Sequence, residues 1–487
     1  MTQYWHWSER LADEVKKRER PWVFTSGVTP SGPVHLGTVC EFLYQEAIYR
    51  QVGGDQFYFI GDVMDALDSV TAELQEYKDE LEKHMGKPLF LVPNPKNPKE
   101  TYADLYLNEI KEMVKAFGAH AKVIPVKDLY DQGLFDPYAK LYWKEIEKVK
   151  EIIERTSGRQ LPKHWNPVMP ICEKCERIDK TKVLSFDAET GDYQYKCEAC
   201  GHEGKGNLSQ HRYKLQWRLH WPTWHAVLGT TIEGGGVDHF TRGGSWDTAK
   251  AIHKEILKRE PPIGYRFGFL LLGGKKYSKS KGIGMYVKEM IRLLPPPVIA
   301  YHLIKYDLEE NIDFALTPQN ILNITDDYEQ AAKLTKEEAE GSRALRKKYV
   351  SFKLFGKRFK ASFREMLLYY TIYRDWEKVG KHISYDEELV PYIEEWVRRG
   401  FVPQDYDFSY RPKKAEGIVK EFIERLQEGM DALDIHNFVY EFAQEKGIQA
   451  KDLFKALYET LIGKPRGPRL GKLIYAIGVN KVKEDTL

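Results

Sequence analysis

The sequence predicts an α/β nucleotide-binding core, interrupted by an insertion that carries a zinc module and followed by an all-α C-terminal half. Three observations predict it. The stretch "PWVFTSGV" runs into the turn "TPSGPVHLGT" and then into the apolar run "VCEFLYQEAIY", an order of strand, glycine-rich turn and helix that opens a nucleotide-binding α/β unit. Two Cys-x-x-Cys pairs lie in the middle of the chain, and helical periodicity dominates from about Met285.

The opening unit is read first. Trp22 to Val28 is β-branched and aromatic and bounded by Pro21 and the Gly/Pro turn, so it reads as a short buried strand. A helix N-terminus presents unpaired backbone N–H groups and partial positive charge, and a glycine-rich turn feeding into one is an anion site. His35 and Thr38 lie three apart, on one face of the first turn, within reach of a triphosphate. The competing reading is a plain connection, since Gly/Pro turns precede many helices.

The cysteines come next. The chain has five, an odd number, and four form the pairs "CEKC" (Cys172, Cys175) and "CEAC" (Cys197, Cys200). That is a metal pattern and not a disulfide framework. Four thiolates around tetrahedral zinc leave no position for water, so the expected site is structural; the alternative is a redox pair. Cys40, in the helix after the opening turn, reads as a small core residue.

A second phosphate element follows in "FGFLLLGGKKYSKSKGIG": an apolar strand from Phe267 to Leu272, a Gly-Gly turn, then Lys276, Lys279 and Lys281 on a loop. Lysines so placed can neutralise charge that develops on a triphosphate when its α-phosphorus is attacked. A solvated basic turn would explain the lysines, though not their position directly after a buried strand.

Composition bounds the rest. A chain of 487 residues, 42% hydrophobic, buries several cores and suggests about three domains. Net charge is only +2 although 30% of residues are charged, so any nucleic-acid surface must arise from local sorting of Lys and Arg. No run approaches the ~18 apolar residues of a membrane span, and the N-terminal stretch lacks the pattern of a cleaved signal. The expectation is a soluble, cytoplasmic protein with no membrane partner.

These residues carry a family resemblance. "PSGPVHLGT" resembles the HIGH signature, and "KYSKS", Lys276 to Ser280, the KMSKS signature of class I aminoacyl-tRNA synthetases. "WRLHWP" (Trp217 to Pro222) and "GGGVDHFTRGGSWD" (Gly234 to Asp247) resemble the substrate-pocket and ribose-binding stretches of the subgroup that includes glutamyl enzymes. With the four-cysteine insertion and the long helical half, the chain most closely resembles the class I lysyl-tRNA synthetases of archaeal type, over essentially its whole length. One departure is that Thr38 stands where the signature has its second histidine, leaving His35 as the single imidazole.

The motifs and the resemblance together imply a split Rossmann-like core, residues 1–63 and 206–284, around an insertion at 64–205 whose zinc module spans 168–205. A stem-contacting segment (285–320) and a helical anticodon-binding domain (321–487) follow. A helical domain reads RNA by splaying out a loop and stacking its bases on aromatic side chains. Lys464, Arg466, Arg469 and Lys472 in "GKPRGPRLGKLI" could contact the RNA backbone or form a solvated turn.

The implied reaction takes L-lysine and Mg-ATP to lysyl-adenylate and then to the 3′ end of tRNA(Lys). His35, Thr38, Gly37, Ser278 and Ser280 would meet ATP, with Lys276 and Lys279 at the transition state. Ser245 and Asp247 would meet the ribose. Gly27, Thr29, Trp217, His239 and Tyr265 would hold the amino acid, and the side-chain ammonium would need a carboxylate, Asp62 or Asp65. A glutamate-charging enzyme would need an arginine there, for which Arg218 and Arg242 are available. Two other classes stay open, a tRNA-independent adenylyltransferase of a small acid and a non-catalytic RNA-binding relative. The helical half speaks against the first and the lysines at 276 and 279 against the second.

Overall fold

A computed structural model describes residues 4–271, the backbone of Leu272, Lys275 and Lys276, and residues 286–315, 317–403, 406 and 408–487. Its strands, in chain order, are β1 (Val23–Val28), β2 (Gln56–Gly61), β3 (Lys122–Pro125), β4 (Val168–Pro170), β5 (Thr181–Phe186), β6 (Asp192–Cys197), β7 (Glu203–Asn207), β8 (Tyr213–Leu215), β9 (Ile232–Gly236), β10 (Ile263–Phe267), β11 (Leu270–Leu272), β12 (Lys275–Lys276) and β13 (Ile312–Asp313). The chain forms two compact units, the first comprising 1–291, 299–315 and 334–356 and the second 292–298, 316–333 and 357–487.

The first unit is built on a five-stranded sheet of order β10-β9-β1-β2-β3 in which every neighbouring pair is parallel. Its central strands are apolar because both faces are covered: Phe24, Phe59, Ile60 and Ile232 are all fully buried. From β1 the chain proceeds to β2 and β3 on one side and returns through β9 and β10 on the other, so the strand order reverses between β1 and β9. In open parallel sheets a ligand crevice opens at the carboxyl ends of the strands at such a reversal. Gly27 and Val28 end β1, and Gly236 ends β9.

The expected opening unit is present, with the strand at Val23–Val28 and a helix at Leu36–Val52. Two readings change. The stretch read as insertion, 64–205, contributes a strand to the core sheet: β3 pairs with β2 after the helix Tyr102–Ala116 has made the crossover. Being only the four residues "KVIP", it is too short for its periodicity to stand out. The stretch Phe267 to Leu272 is not one strand. β10 ends at Phe267, and β11 joins a separate small sheet with β12 and β13. The chain leaves the core at Gly268, whose amide bonds Leu308 O at 2.7 Å while the Phe269 amide donates to Asn311 Oδ1 at 2.9 Å.

Between β3 and β9 the amphipathic stretches form the helices Asp136–Lys144 and Ile146–Ser157. The cysteine segment forms an antiparallel sheet, β5-β6-β7, beside the two-stranded pair β4-β8. The helix Arg343–Phe355, which sequence spacing assigns to the C-terminal half, belongs to the first unit. Arg50 Nη1 donates to Leu354 O, and Ser351 Oγ lies 3.3 Å from His6 Nε2.

The second unit is helical. Phe363 stacks on Trp396 with centroids 5.7 Å apart, and Trp396 Nε1 donates to Leu293 O at 2.6 Å. Helices Gly417–Arg425, Ala432–Glu445, Ala450–Ile462, Leu470–Ile477 and Val479–Thr486 close over a core that includes Phe422, Val439, Phe442, Leu457 and Leu473. Among the described residues no helix is long and apolar enough to cross a membrane.

Candidate active site

The crevice at the strand reversal is a cavity of about 500 Å³. Gly27, Val28, Thr29, Ser31, His35, Gly37, Thr38 and Glu41 line one side, Trp217, Gly236, Asp238 and His239 another, with Asp65 and Phe267–Leu270 completing it. Gly27 is required by proximity to β2, since a Cβ there would sit 2.6 Å from the carbonyl oxygen of Ile60. Thr38 and Glu41 follow His35 at helical spacing and so share the helix face that meets the cavity.

His35 is the N-cap of the helix Leu36–Val52, with extended backbone, and its Nδ1 accepts from the Gly37 amide at 3.0 Å. An amide can only donate, so Nδ1 carries no proton and the neutral ring bears its proton on Nε2, which can donate to an anion. Gly37 makes this geometry possible. A Cβ at that position would lie 2.7 Å from His35 Cε1 and 2.9 Å from Nδ1.

The aromatic wall is braced from behind. Trp217 stacks on Trp221 (5.6 Å, 13°) and lies 6.0 Å from the His239 ring. Trp221 Nε1 and Trp224 Nε1 donate to the two oxygens of buried Glu233 at 2.7 and 3.1 Å, and Thr25 Oγ1 and His225 Nε2 reach the same carboxylate. A buried carboxylate with this many donors is satisfied and fixes the rings that contact it. His239 Nδ1 lies 2.9 Å from Ser245 Oγ, and burial lowers its pKa below the ordinary histidine value.

Two carboxylates inside the cavity differ in their company. Asp65 accepts from Thr29 Oγ1 and pairs with Lys214, whose ammonium also contacts Asp62 Oδ2 at 2.7 Å. Lys214 and Asp62 are nearly sealed, with side chains 4% and 3% exposed. Burial opposes the Lys214 charge, and Asp62 and Asp65 outweigh it, leaving its pKa above the ordinary lysine value. Of the two carboxylates that spacing leaves open, Asp65 faces the cavity and Asp62 points into the Lys214 pair. Glu41 accepts from Ser26 Oγ at 3.1 Å and from the Gly236 amide, and burial followed by the charge of Glu233 pushes its carboxyl up to about 8. Nothing in its spacing distinguishes Glu41 from a core-facing helix residue; only the fold brings it to the end of β9.

The remaining expected residues distribute as follows. Gly27, Thr29, His35, Gly37, Thr38, Trp217 and His239 line the one cavity. Ser245 begins the helix Ser245–Glu255 and lines an adjoining cavity that shares Trp217, Asp238 and His239 with the first. Asp247 accepts from the Gly243 amide at 3.2 Å and pairs with Lys250 at 3.1 Å. Tyr265 lies over Gly234, in a neighbouring cavity with Trp246 and Asp247. Lys279, Ser278, Ser280 and the side chain of Lys276 lie outside the described residues. The flanks of that segment meet the site, since Leu270 lines the cavity and Tyr286 bridges to His35. Arg218 donates to the carbonyls of Gly243 and Gly244 and to Thr248 Oγ1, and with Arg242 it lines the adjoining cavity.

Away from the cavity, Cys172, Cys175, Cys197 and Cys200 bring their sulfur atoms within 4.8 Å of one another and could hold a metal ion. The two turns are alike. Glu176 N bonds Cys172 O and Gly201 N bonds Cys197 O, each at 2.9 Å, with φ of 62° and 72°. Glycine takes the left-handed position readily in the second turn; Glu176 takes it in the first at a steric cost.

Residues 5–355 match the family described as tRNA synthetases class I (K). The lysine–tRNA ligase of Archaeoglobus fulgidus is 30% identical, covering 98% of this chain and 99% of that one. That of Picrophilus torridus is 29% identical with 97% of each covered, and that of Methanocaldococcus jannaschii is 29% identical over 97% of this chain and 98% of its own. A cavity at the carboxyl ends of β1 and β9, a histidine capping the helix that follows the glycine-rich turn, and a family match over 351 residues (5 to 355) place the chain among the class I (K) tRNA synthetases.

Proposed function

We propose that this chain activates L-lysine with Mg-ATP and transfers it to the 3′ end of tRNA(Lys). The observation that carries the choice of amino acid is the lining of the cavity: Glu41, Asp65 and Asp238 are present, and among the described lining residues there is no arginine or lysine. A glutamate side chain would find no cation among these residues, whereas a lysine ammonium finds carboxyl groups, and its approach favours their charged form. Of the two arginines that kept glutamate open, Arg218 donates to backbone carbonyls, and both it and Arg242 line the adjoining cavity and not this one. The names of the relatives agree with this choice.

In the first step a carboxylate oxygen of lysine attacks the α-phosphorus of ATP, the bond to the bridging oxygen of pyrophosphate breaks, and lysyl-adenylate forms. In the second, the terminal ribose hydroxyl of tRNA attacks the acyl carbon, losing its proton as AMP departs. The protein's task is to position the reactants and stabilise charge. His35 Nε2–H and the amides that open the helix Leu36–Val52 face the phosphates, with Gly37 and Thr38 beside them. Lys276 and Lys279 neutralise the transition state, with Ser278 and Ser280 on the same segment. Thr29 and Gly27 hold the amino acid against Trp217 and His239, with Tyr265 behind, and Ser245 and Asp247 lie on the ribose side.

The four cysteines would hold a structural zinc ion. A tetrahedron with ~2.3 Å Zn–S bonds has edges of about 3.8 Å, and the sulfur pairs Cys172–Cys200 and Cys175–Cys197 stand 3.7 and 3.6 Å apart. The helical second unit would bind the anticodon arm and 285–320 the stem. Pyrophosphate exchange and tRNA charging with each amino acid, with and without tRNA, test the reading. Lysine should be charged and glutamate rejected; glutamate charged at comparable efficiency would overturn the assignment.

A further inference from the structure

We infer that Glu109, on the crossover helix Tyr102–Ala116, is a positioning residue for the phosphate-binding turn: its carboxyl group holds the residue that precedes His35 and so aims the His35 imidazole at the triphosphate. This rests on the reading above, that the chain forms an adenylate from ATP, and deepens it. The turn has little of its own to hold it in shape. Pro30 and Pro33 have no N–H to donate. Among the described residues, Ser31 N to Thr29 O at 2.8 Å is the only backbone hydrogen bond internal to 29–34. Neighbouring elements must therefore satisfy and fix its remaining backbone groups.

The crossover helix supplies two anchors. Tyr102 and Glu109 are two helical turns apart and share a face. Tyr102 Oη donates to Ser31 O at 3.0 Å, and Glu109 Oε1 accepts from the Val34 amide at 3.2 Å. On its other side Val34 O accepts from the Val287 amide at 3.0 Å, while Tyr286 bridges to His35. Val34 is thus held at both its N–H and its carbonyl, one residue ahead of the imidazole. It is 1% exposed, so an N–H deprived of Glu109 has no water to turn to, and the turn must shift until it meets another acceptor. That shift passes directly to His35. Glu109 itself does not line the cavity, so its influence on the reaction runs through the turn. A displacement of about 1 Å at a group that meets the transition state can cost on the order of 100-fold in rate. A turn still anchored by Tyr102 and Val287 should move less than that.

The test is lysine-dependent pyrophosphate exchange by the full-length enzyme with tRNA present. Glu109→Ala should lower kcat by about 10- to 30-fold and leave KM for lysine within about 2-fold. Glu109→Gln, whose amide oxygen can accept the same bond, should recover most of the rate. The coupling to His35 separates positioning from folding: in a His35→Ala background, assayed at raised enzyme concentration, Glu109→Ala should cost less than about 2-fold, because the group it aims is gone. A role in folding alone would give the same loss in both backgrounds. Tyr102→Phe removes only the hydroxyl at the other anchor and serves if Glu109→Ala does not fold; it should give a smaller loss of kcat, again absent without His35. An unchanged kcat in folded Glu109→Ala, no recovery in Glu109→Gln, or equal losses with and without His35 would each overturn the assignment. Any of these would leave the lysine reading standing if the unaltered enzyme exchanges pyrophosphate with lysine; failure of the unaltered enzyme to do so would overturn both.

Discussion

Replacing Lys214 by methionine removes the one ammonium that, among the described residues, serves Asp62 and Asp65, while keeping the length and apolar bulk of the stem. Lys214 is 4% exposed and Asp62 3% exposed, so the variant leaves Asp62 charged in a site that water hardly reaches. Its Oδ1 has no hydrogen-bond partner among the described residues, and His220 Nε2, 3.5 Å from Oδ2, is too distant to replace the ammonium as it stands. Removing one partner of a buried pair costs about 3–5 kcal/mol, most of it the uncompensated charge left behind. Part of Asp65 is exposed, and that part of the deficit is screened, so the expected loss is about 3 kcal/mol. With a typical urea dependence this moves the unfolding midpoint of the first unit by roughly 1–2 M. Lys214→Met combined with Asp62→Asn should recover most of the loss, because the stranded charge is gone. Tryptophan fluorescence during urea titration reports the transition, since Trp217, Trp221, Trp224 and Trp246 all belong to this unit. A loss under 1 kcal/mol for Lys214→Met, or no recovery in the double variant, would refute the reasoning.

Further outcomes follow from the same geometry. Gly37→Ala places a methyl 2.7 Å from His35 Cε1; displacing the ring should slow adenylate formation by about two powers of ten, with lysine KM nearly unchanged, measured by pyrophosphate exchange. Lys279→Ala should lower the same rate by two to three powers of ten without loss of lysine affinity. Cys172→Ser should abolish the single tightly held zinc expected per chain by metal analysis under reducing conditions. His6 is buried, and burial first of all lowers its imidazole from about 6.5 to about 4, against the opposing pull of the Ile304 carbonyl. Its folded value lies below the unfolded one, so its contribution is complete above about pH 6.5 and is lost as pH falls toward 4. Unfolding free energy should drop by roughly 3 kcal/mol across that window in the parent and not in His6→Asn.

Much of the site was legible because its chemistry depends on local sequence. A helix cap needs only the residues that form it, so the turn "TPSGPVHLGT" identified His35, Gly37 and Thr38 without knowledge of the sheet. Two Cys-x-x-Cys pairs bring sulfurs together through two tight turns, again a local property. The residues missed, Glu41 above all, acquire their meaning from neighbours distant in sequence: Ser26 15 residues away on β1 and Gly236 on β9.

What the sequence by itself determined is thus the opening strand, turn and helix, the cysteine cluster and the helical second half, each encoded in periodicity or spacing over a few residues. Only the tertiary structure decided which acids and arginines line the cavity. Spacing in "GDVMDALD" cannot separate Asp62 from Asp65, because the choice is made by Lys214, some 150 residues later, which draws Asp62 into a sealed pair and leaves Asp65 on the cavity. Arg218 likewise looks available in sequence until the loop at Gly243 and Gly244 folds back to occupy it. Charge acts through space and is settled by burial and partners, and those exist only once strands far apart in the chain lie side by side.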